Sequence, residues 1–341
     1  MAIFILFIAI VVDIVLLTVL INYIVRRIKC AKHGKNVSTK KLSPIMIVLG
    51  VLLAIYTIIL TTIVISALFV SVKSTARGGF NAYRGNEFGL PQGWPWQWSW
   101  SNYSEIFGFL ETKTDIVENE VLVAQVTSKW YHMLLNTFLY TFGGALVQTM
   151  VPCLVAYATS KTNFKFSAIF DAVVLVAMII PIVGAYPSEL QLLHKLGLYN
   201  TWAGYYIQKA HCISAYYLVF KAMFKSMPET YAEAARIEGS GEFGIMFRIY
   251  VPLARTVILT VFLIHFITIW NDYNTSLMYM PSHPSLAYGI YYLALKDSTN
   301  AIKAIPYKMA GSFLLFTPIL IVFICFRKVI MQNLSMGGIK E

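Results

Sequence analysis

The residues able to do covalent chemistry in this chain are scattered along its length. The cysteines stand alone, with no CxxC pair, and they are Cys30, Cys153, Cys212 and Cys325. The histidines follow neither HExxH nor any other metal-ligand spacing. No GxxxxGKS or GxxxxGKT phosphate loop occurs, so the chain itself is not expected to bind ATP. We therefore expect no catalytic residue, no metal and no cofactor in this chain.

Polar side chains in or next to long apolar segments are the candidates for binding a substrate. Aromatic rings beside hydrogen-bonding groups suit sugars, because sugars have apolar faces rimmed by hydroxyls. The candidates for such a substrate pathway are Gln148, His265, Trp270, Asn271, Asp272 and Tyr273. Anchoring of aromatic rings at a membrane interface explains Trp270 and Tyr273 equally well.

The segment 223–254 has the most informative residue spacing in the chain. Ser226 and Glu229 have the spacing of a capping box, and Pro228 suits a first helical turn, so a helix is predicted to start there. Gly239 is placed to end this helix in the left-handed conformation. A second short amphipathic segment follows over 243–251, and Pro252 marks the return to an apolar stretch.

Small residues occupy one face of this predicted helix. Ala232, Ala235 and Gly239 recur at i, i+3 and i+7, which places them on the same side. The opposite side carries Glu229, Glu233, Arg236 and Glu238. A face with almost no side chains lets another protein approach closely, so we interpret 223–254 as a docking surface. A helix lying on the membrane surface is the alternative.

The segments that position these residues are apolar and long. The chain is 58% hydrophobic and 13% charged, against about 25% charged residues in soluble domains. A helix needs about 20 apolar residues to cross a bilayer. We predict an all-α integral membrane protein with about seven transmembrane helices, near 2–25, 44–72, 131–159, 167–189, 205–222, 255–275 and 306–326.

The basic residues indicate how these helices are oriented. The loop 26–43 holds Arg26, Arg27, Lys29, Lys32, Lys35, Lys40 and Lys41 without an acid, whereas the loop 73–130 holds Glu87, Glu105, Glu111, Asp115, Glu118 and Glu120. The positive-inside rule then places the N-terminus outside and the C-terminus and 223–254 in the cytoplasm. The helix 2–25 is predicted to be a retained anchor, because its charges follow the apolar run. Asp13 within it needs a partner or a protein neighbour.

The loop resembles a known motif at several positions. Glu233, Ala234 and Ala235, then Gly239, Ile249 and Pro252, have the spacing of the EAA loop of binding-protein-dependent ABC importer permeases. Val251 replaces the usual leucine. Leu154–Ser160, the segment HKLGLYNT (194–201) and the end GGIK (337–340) are similar to the carbohydrate-importing branch, and in particular to its maltose-type transmembrane subunit. The resemblance covers most of 44–341, so 1–43 is predicted to be an additional helix and basic loop.

The resemblance implies a function and a set of partners. It implies a non-catalytic transmembrane subunit that forms half of the pathway for a sugar, with an oligosaccharide as the expected cargo, in a bacterial cytoplasmic membrane. A second homologous permease subunit, a cytoplasmic ATPase dimer that binds ATP and Mg²⁺, and an extracytoplasmic solute-binding protein are the implied partners. The ATPase-coupling residues would be Ala232, Glu233, Ala234, Ala235, Arg236, Gly239 and Pro252.

Two loops are predicted to lie outside the membrane, and one other class of protein is the alternative to an importer permease. The loop 276–305 resembles the outer loop that reaches the binding protein, with Ser282, His283, Pro284 and Ser285 at its tip. The tryptophans of 94–100 are predicted to pack on lipid headgroups or on a partner. The alternative is that a sugar stacks on their rings. A secondary transporter or channel is the alternative class, although Asp13, Asp171, His265 and Asp272 are too dispersed to suggest an ion-coupling site.

Overall fold

A computed structural model describes residues 44–72, 100–118, 121–162, 165–180, 185–295 and 305–336. The predicted helix 2–25 with Asp13, the basic loop 26–43, the segment 73–99 and the end 337–341 lie outside the described residues. The chain forms two compact units. One comprises Met1–Phe109 with Asp297–Leu314, and the other Leu110–Lys296 with Leu315–Glu341.

The first unit is built on a long apolar helix, α1 (Pro44–Ser71). The short helix α2 (Asn102–Phe109) packs at its end, where Asn102 donates to the Ser71 carbonyl at 2.8 Å and the hydroxyls of Ser71 and Tyr103 lie 2.6 Å apart. The first residues of the last helix also belong here, and Tyr307 donates to the Glu105 carboxylate at 2.5 Å. This hydrogen bond holds the pKa of Glu105 below its usual value.

The second unit begins with an antiparallel hairpin, β1 (Glu111–Glu118) and β2 (Val121–Lys129). Glu111 pairs with Lys129 and Glu118 with Val121, with an irregularity between Ile116 and Val117. The prediction of an all-α chain is therefore wrong in this outer loop. Threonine, isoleucine and valine make up half of β1, and valine and threonine are frequent in β2. Such β-branched residues favour extended backbone.

One continuous helical rod follows the hairpin. It consists of α3 (Trp130–Phe138), a π-helical turn (Leu139–Gly143) and α4 (Gly144–Lys161). Pro152 lies inside α4 and its ring is buried. The rod agrees with the predicted span 131–159. Its two ends contribute to the two buried clusters of this unit.

Two predicted spans are interrupted. The span 167–189 holds α5 (Ser167–Ile179) and the start of α6 (Ala185–Lys195), and the span 205–222 is divided between α7 (Trp202–Lys209) and α8 (Ala215–Ser226). The prediction of one helix over 205–222 is wrong, because the backbone leaves the helical path at 210–214, next to Lys209 and His211. Irregular backbone at membrane depth is tolerated where protein or water satisfies it.

The remaining helices complete the second unit. They are α9 (Thr230–Ile237), α10 (Glu242–Ile245), a π-helical turn (Met246–Tyr250), α11 (Val251–Leu253), α12 (Arg255–Trp270), α13 (Asn274–Met278), α14 (Leu286–Leu295) and α15 (Ile305–Met336), which starts in the first unit.

Within the described residues, three helices are long and apolar enough to cross a membrane, over Leu52–Ser71, Trp130–Lys161 and Pro306–Arg327. Glu242–Leu253 and Arg255–Trp270, bent by 74°, make a fourth if the pair is one span. A chain of apolar helices is thus confirmed, and the count of seven stays a prediction.

Two buried clusters in the described part of the second unit lie next to the predicted sites. The coupling cluster consists of Cys153, Ala156, Tyr157, Val174, Tyr217, Phe220, Phe224, Ala232, Ala235, Ile245, Met246, Tyr250, Ala254 and Val261. The loop cluster consists of Tyr140, Ala145, Leu193, Tyr205, Ile269, Tyr279 and Met280. The first surrounds the predicted docking helix, and the second surrounds the predicted outer loop.

Candidate functional site

The predicted docking segment folds as a helix, but it starts later than its sequence suggests. Helix α8 ends at Ser226, whose hydroxyl donates back to the Met223 carbonyl at 2.6 Å. Helix α9 starts at Thr230, and its N-cap Glu229 makes no side-chain capping bond. The predicted capping box of Ser226 and Glu229 is therefore wrong, because Ser226 still belongs to the preceding helix.

The end of α9 forms as predicted. Gly239 has φ +82°, a left-handed conformation that glycine adopts without a Cβ clash. The backbone amide of Gly239 donates to the Arg236 carbonyl at 3.0 Å, and the backbone amide of Ser240 donates to the Ala235 carbonyl at 2.9 Å. These two bonds make a Schellman motif, which satisfies the last carbonyls of the helix and fixes where the chain turns.

The small face of α9 is turned toward this chain's own core. Ala232 and Ala235 are buried within the coupling cluster, with Phe224, Ile245 and Tyr250. The expectation that this face contacts a partner is wrong. Alanine at these two positions instead lets α9 lie close against the helices that carry it, so the face seats the helix.

The opposite face of α9 and the following turn carry exposed apolar side chains. Ile237 is 88% exposed and Phe243 is 78% exposed, with half-exposed Tyr231 and Phe247 nearby in sequence. The predicted coupling residues Glu233, Ala234 and Gly239 are also exposed. Exposed apolar side chains that lie close together on a segment outside the predicted spans mark a candidate surface for a partner. Sequence spacing pointed to the small face, and it missed Ile237 and Phe243.

Arg236 is engaged within the loop. Its guanidinium contacts the Glu242 carboxylate, with Nε to Oε1 at 3.0 Å and Nη2 to Oε1 at 2.9 Å. Both side chains are about half exposed, so the pair contributes little to stability, commonly below about 1 kcal/mol. Its geometric effect is to join the end of α9 to the start of α10 across the turn.

Three polar contacts fix the segment that leads into α9. Lys161 at the end of α4 donates to the Met227 carbonyl at 2.6 Å, and Tyr250 donates to the Pro228 carbonyl at 3.3 Å. The Lys161 ammonium also lies 5.4 Å from the centre of the Tyr250 ring. The segment is thus held by α4 from one side and by the π-helical turn from the other.

Pro252 lies where the chain changes direction. Ala254 is the residue between α11 and α12, and the helical axes on its two sides differ by 74°. Pro252 itself is exposed and lines a mainly apolar cavity of about 590 Å³. Leu146 and Thr149 of α4 and Arg255 and Phe262 of the following helix line the same cavity. The apolar helix α12 follows this bend.

Two of the predicted substrate residues have structural roles in this chain. Trp270 is 1% exposed, its ring stacks on Phe266, and its indole nitrogen donates to the Leu315 carbonyl at 2.9 Å. Asp272 accepts from the backbone amides of Asn274 and Thr275 at 2.9 and 3.2 Å, as a cap does at a helix start. The prediction of substrate contact at Trp270 is wrong, because its ring and its donor are already occupied.

The other predicted pathway residues are distributed along the bundle. Tyr273 stacks on Tyr291 with ring centres 4.2 Å apart. Asn271 is exposed, and its side-chain amide donates to the Ile267 carbonyl at 2.9 Å. Gln148 is half-buried on α4. His265 is buried against Tyr216, with ring centres 4.7 Å apart.

His265 packs on Tyr216, which lies just after the helix break at 210–214. Within the described chain no group bonds its Nε2, and the Gln208 side-chain oxygen beside the break is also buried and unbonded. Buried polar atoms normally have a partner in protein or water. His265 therefore stays a candidate for contact with a hydroxylated substrate, and Gln208 joins it.

The predicted outer tip is folded back on the chain. Asn200 and Ser282 exchange two hydrogen bonds, of 2.6 Å between side chains and 3.1 Å from the Ser282 amide. Tyr140 donates to the His283 carbonyl at 2.8 Å, and the His283 ring packs on Trp202. Ser285 is buried. The prediction of Ser285 as an exposed contact is wrong, whereas Ser282 and His283 remain partly exposed.

The apolar helices define a membrane protein, and its bundle seats the amphipathic helix α9 by the small face and leaves the other face exposed. The family of binding-protein-dependent transport system inner membrane components matches residues 148–336, and the chain belongs to this family. It is thus the transmembrane subunit of an ABC importer and a multi-pass protein of the cytoplasmic membrane.

Several relatives support this membership. The chain is 26% identical over 278 residues to the inner membrane ABC transporter permease protein YcjP of Escherichia coli K12, covering 80% of this chain and 90% of the relative. It is 24% identical over 209 residues to the melibiose/raffinose/stachyose import permease protein MelC of Bacillus subtilis 168, covering 60% and 75%. The predicted similarity to sugar importer permeases is confirmed.

A solved structure shares the fold. It is the crystal structure of a bacterial ABC transporter involved in the import of the acidic polysaccharide alginate. The TM-score is 0.61 with 20% sequence identity, over 86% of this chain and 99% of the matched chain.

Proposed function

We propose that this chain forms half of the translocation pathway for an oligosaccharide and docks a separate ATPase through residues 223–254. The observation that carries the proposal is the two-sided seating of α9. Ala232 and Ala235 hold one face in the coupling cluster, and the other side leaves Ile237 and Phe243 exposed. A partner that covers these side chains removes their apolar surface from water or lipid headgroups.

The partner is a cytoplasmic ATPase that binds ATP and Mg²⁺ itself. Its complementary surface would be an apolar groove for Ile237 and Phe243, rimmed by groups that pair with Glu233. The Schellman motif at Gly239 and the Arg236–Glu242 contact give the docking segment one defined shape. When ATP closes the ATPase dimer, a segment of fixed shape moves with the groove and carries the bundle with it. With residues 223–254 facing a cytoplasmic ATPase, the N-terminus lies outside and the C-terminus lies in the cytoplasm.

The cargo is a sugar delivered by an extracytoplasmic binding protein, and a second homologous permease subunit completes the pathway. Relatives such as MelC and the arabinooligosaccharides transport system permease protein AraQ are named for short oligosaccharides. His265 and Gln208 offer unbonded polar atoms at a break in the helical backbone. Broken helices in transporters place such groups next to a substrate.

The test is uptake in vesicles that contain this chain with its second permease subunit and ATPase. Glu233→Lys and Gly239→Trp are expected to lower the amount of ATPase that co-purifies and to abolish uptake. Normal co-purification and uptake in both variants overturns the docking role. Uptake that persists when the ATPase carries an inactivating substitution contradicts ATP-driven import and supports a secondary transporter.

The cargo requires a separate experiment. A ligand screen on the binding protein, with arabino- and galacto-oligosaccharides among the probes, identifies the sugar. His265→Leu is expected to lower uptake of that sugar while ATPase co-purification stays normal. Unchanged uptake would remove His265 from the pathway and leave the docking role intact.

A further inference from the structure

An ion pair between a buried lysine and a partly buried aspartate joins two helices that are distant in sequence. Lys221 on α8 lies 2.6 Å from Oδ1 and 2.7 Å from Oδ2 of Asp171 on α5. Lys221 is only 4% exposed, so its charge is withdrawn from water. A buried charge is tolerated when its partner and its hydrogen bonds are in place, and it is strongly destabilising when the partner is removed.

Neighbouring hydroxyls complete the network around this pair. Tyr217 donates to Oδ1 of Asp171 at 2.7 Å, and Lys221 also donates to the Ser167 hydroxyl at 2.8 Å. Ser167 donates in turn to the Thr159 carbonyl at 2.7 Å, and the hydroxyls of Thr159 and Tyr217 lie 2.9 Å apart. Side chains and backbone of α4, α5 and α8 therefore meet in one continuous network.

The rest of α5 is weakly attached to the unit. Val174 is its fully buried side chain, and Phe170 packs edge-on against Tyr217 with ring centres 5.2 Å apart. The other side of the helix is open, with Ile169 at 61% and Ile179 at 78% exposure. The link between α5 and α8 is thus concentrated at Asp171 and its immediate neighbours.

The same network adjoins the docking segment. Tyr217 belongs to the coupling cluster together with Phe224, Ala232 and Tyr250. Helix α8 continues into α9 through residues 227–229, and Lys161 and Tyr250 hold that connection in place. A displacement of α9 therefore reaches α8 directly, and it reaches α5 through the ion pair.

We propose that the Asp171–Lys221 pair makes α5 move with α8 and the coupling loop during the transport cycle. Both residues are positioning residues, because they act through the helices that they join. The ion pair suits this role, since its short hydrogen bonds fix both distance and direction, whereas apolar side chains can slide past each other. The inference rests on the proposed function, in which the ATPase drives residues 223–254.

The first test measures the wild-type importer. Spin labels are placed at Ile169 on α5 and Val219 on α8, both exposed, after replacement of the four cysteines by serine. The distance between the labels is compared in the nucleotide-free and ATP-trapped complexes in vesicles. An unchanged distance distribution is expected. A shift larger than the width of the distribution shows that the helices move independently and overturns the proposal.

The second test separates linkage from stability. Lys221→Met leaves Asp171 without its cation, and the double variant Asp171→Asn/Lys221→Met removes both charges. The double variant is expected to assemble better than the single one, yet to show a broadened label distance and uptake lowered about tenfold, a usual size for coupling between sites. Restored assembly together with restored uptake and a sharp distance shows that the pair serves stability alone, and overturns the proposal.

The matched control is Lys225→Met on the same helix. Lys225 is exposed, so removal of its charge leaves the Asp171–Lys221 contact in place. We expect normal assembly, uptake and label distance. A loss of uptake in this control equal to that of the double variant would attribute the effect to cationic charge on α8 and would contradict the proposal.

The outcome is distinguishable from a failure of the proposed function. If the wild-type chain recovers no ATPase, the docking role itself fails. If the ATPase co-purifies and hydrolyses ATP while the Asp171 and Lys221 variants keep normal uptake and label distances, docking stands and the linkage through α5 is refuted.

Discussion

The coupling cluster and the loop cluster belong to one compact unit, but the surface segments beside them differ. One exposes large apolar side chains, and the other is held by hydrogen bonds. In the coupling cluster, α9 is buried along Ala232 and Ala235 and leaves Ile237 and Phe243 open. In the loop cluster, Tyr279 donates to Glu189 at 2.9 Å, and the neighbouring segment 282–285 is tied down by hydrogen bonds to the rest of the chain.

The difference separates two kinds of loop. A segment that is held by hydrogen bonds to the rest of its own chain has a shape that is independent of a partner. A segment that exposes large apolar side chains is incomplete until something covers them. Residues 223–254 are of the second kind, and 276–285 are of the first. Changes to 223–254 should therefore alter binding, and changes to 276–285 should alter the local fold.

The largest effect is expected from the exposed apolar residues of the coupling loop. The double variant Ile237→Asp/Phe243→Asp removes two side chains that are each worth about 2 kcal/mol when buried. We expect ATPase affinity to fall at least about a hundredfold, measured by co-purification and titration, with the melting temperature of the isolated permease unchanged. Leu196→Asp, at another exposed aliphatic residue, is the control and should bind normally.

A smaller effect separates the two faces of α9. Ala235→Leu places a larger side chain in the packed coupling cluster, which costs about 1–3 kcal/mol, so the permease should melt earlier and bind the ATPase less well. Ala234→Leu, on the exposed side of the same helix, should leave the melting temperature unchanged. Equal melting temperatures for the two variants would contradict the buried position of Ala235.

The loop cluster should respond to loss of its internal hydrogen bonds. Asn200 has φ +59° and makes two bonds with Ser282. Asn200→Ala loses both bonds and strains the backbone, at a cost of about 2 kcal/mol. Hydrogen exchange over 282–289 should increase, with ATPase binding unaffected. Asn200→Gly relieves the strain and should lose less. Reduced ATPase binding in either variant would break the proposed separation of the two regions.

The smallest effect is a dependence on pH at the same loop. Burial lowers the pKa of His283 below its usual value, so the folded loop favours the neutral ring. An unfolded loop has the ordinary pKa near about 6.5, and it gains protons first as the pH falls. Local stability is therefore complete above that value and decreases below it. The protection of 282–289 against exchange, corrected for the intrinsic effect of pH on the exchange rate, should fall as the pH is lowered from about 8 to about 5, and His283→Gln should remove this fall.

The sequence predicts which residues of α9 share a face, but not what covers that face. The spacing of Ala232, Ala235 and Gly239 and the left-handed turn are local properties, and they were predictable from residue type. Burial against Phe224 and Tyr250 depends on helices brought together by the fold. For the same reason the large exposure of Ile237 and Phe243 could not be read from their position in the pattern.

The broken span 205–222 and the hairpin in 111–129 both show signs in their sequences, but the prediction relied on hydropathy and overlooked them. Lys209 and His211 lie beside the break in the predicted span 205–222, and polar residues there indicated a weak helix. The β-branched residues of 111–129 indicated strands within a long outer loop. Asp171 and Lys221 lie 50 positions apart in sequence, so their pairing could not be predicted from spacing.

The inward position of Ala232 and Ala235 has an evolutionary consequence. Because the residues that hold α9 differ from those that remain exposed, substitutions at Tyr231, Ile237 and Phe243 can accumulate without repacking the permease interior. One permease could thus exchange one ATPase for another by changing a few surface side chains. A small molecule or peptide that binds the exposed side chains of Tyr231, Ile237 and Phe243 would compete with the ATPase without having to unfold the membrane domain.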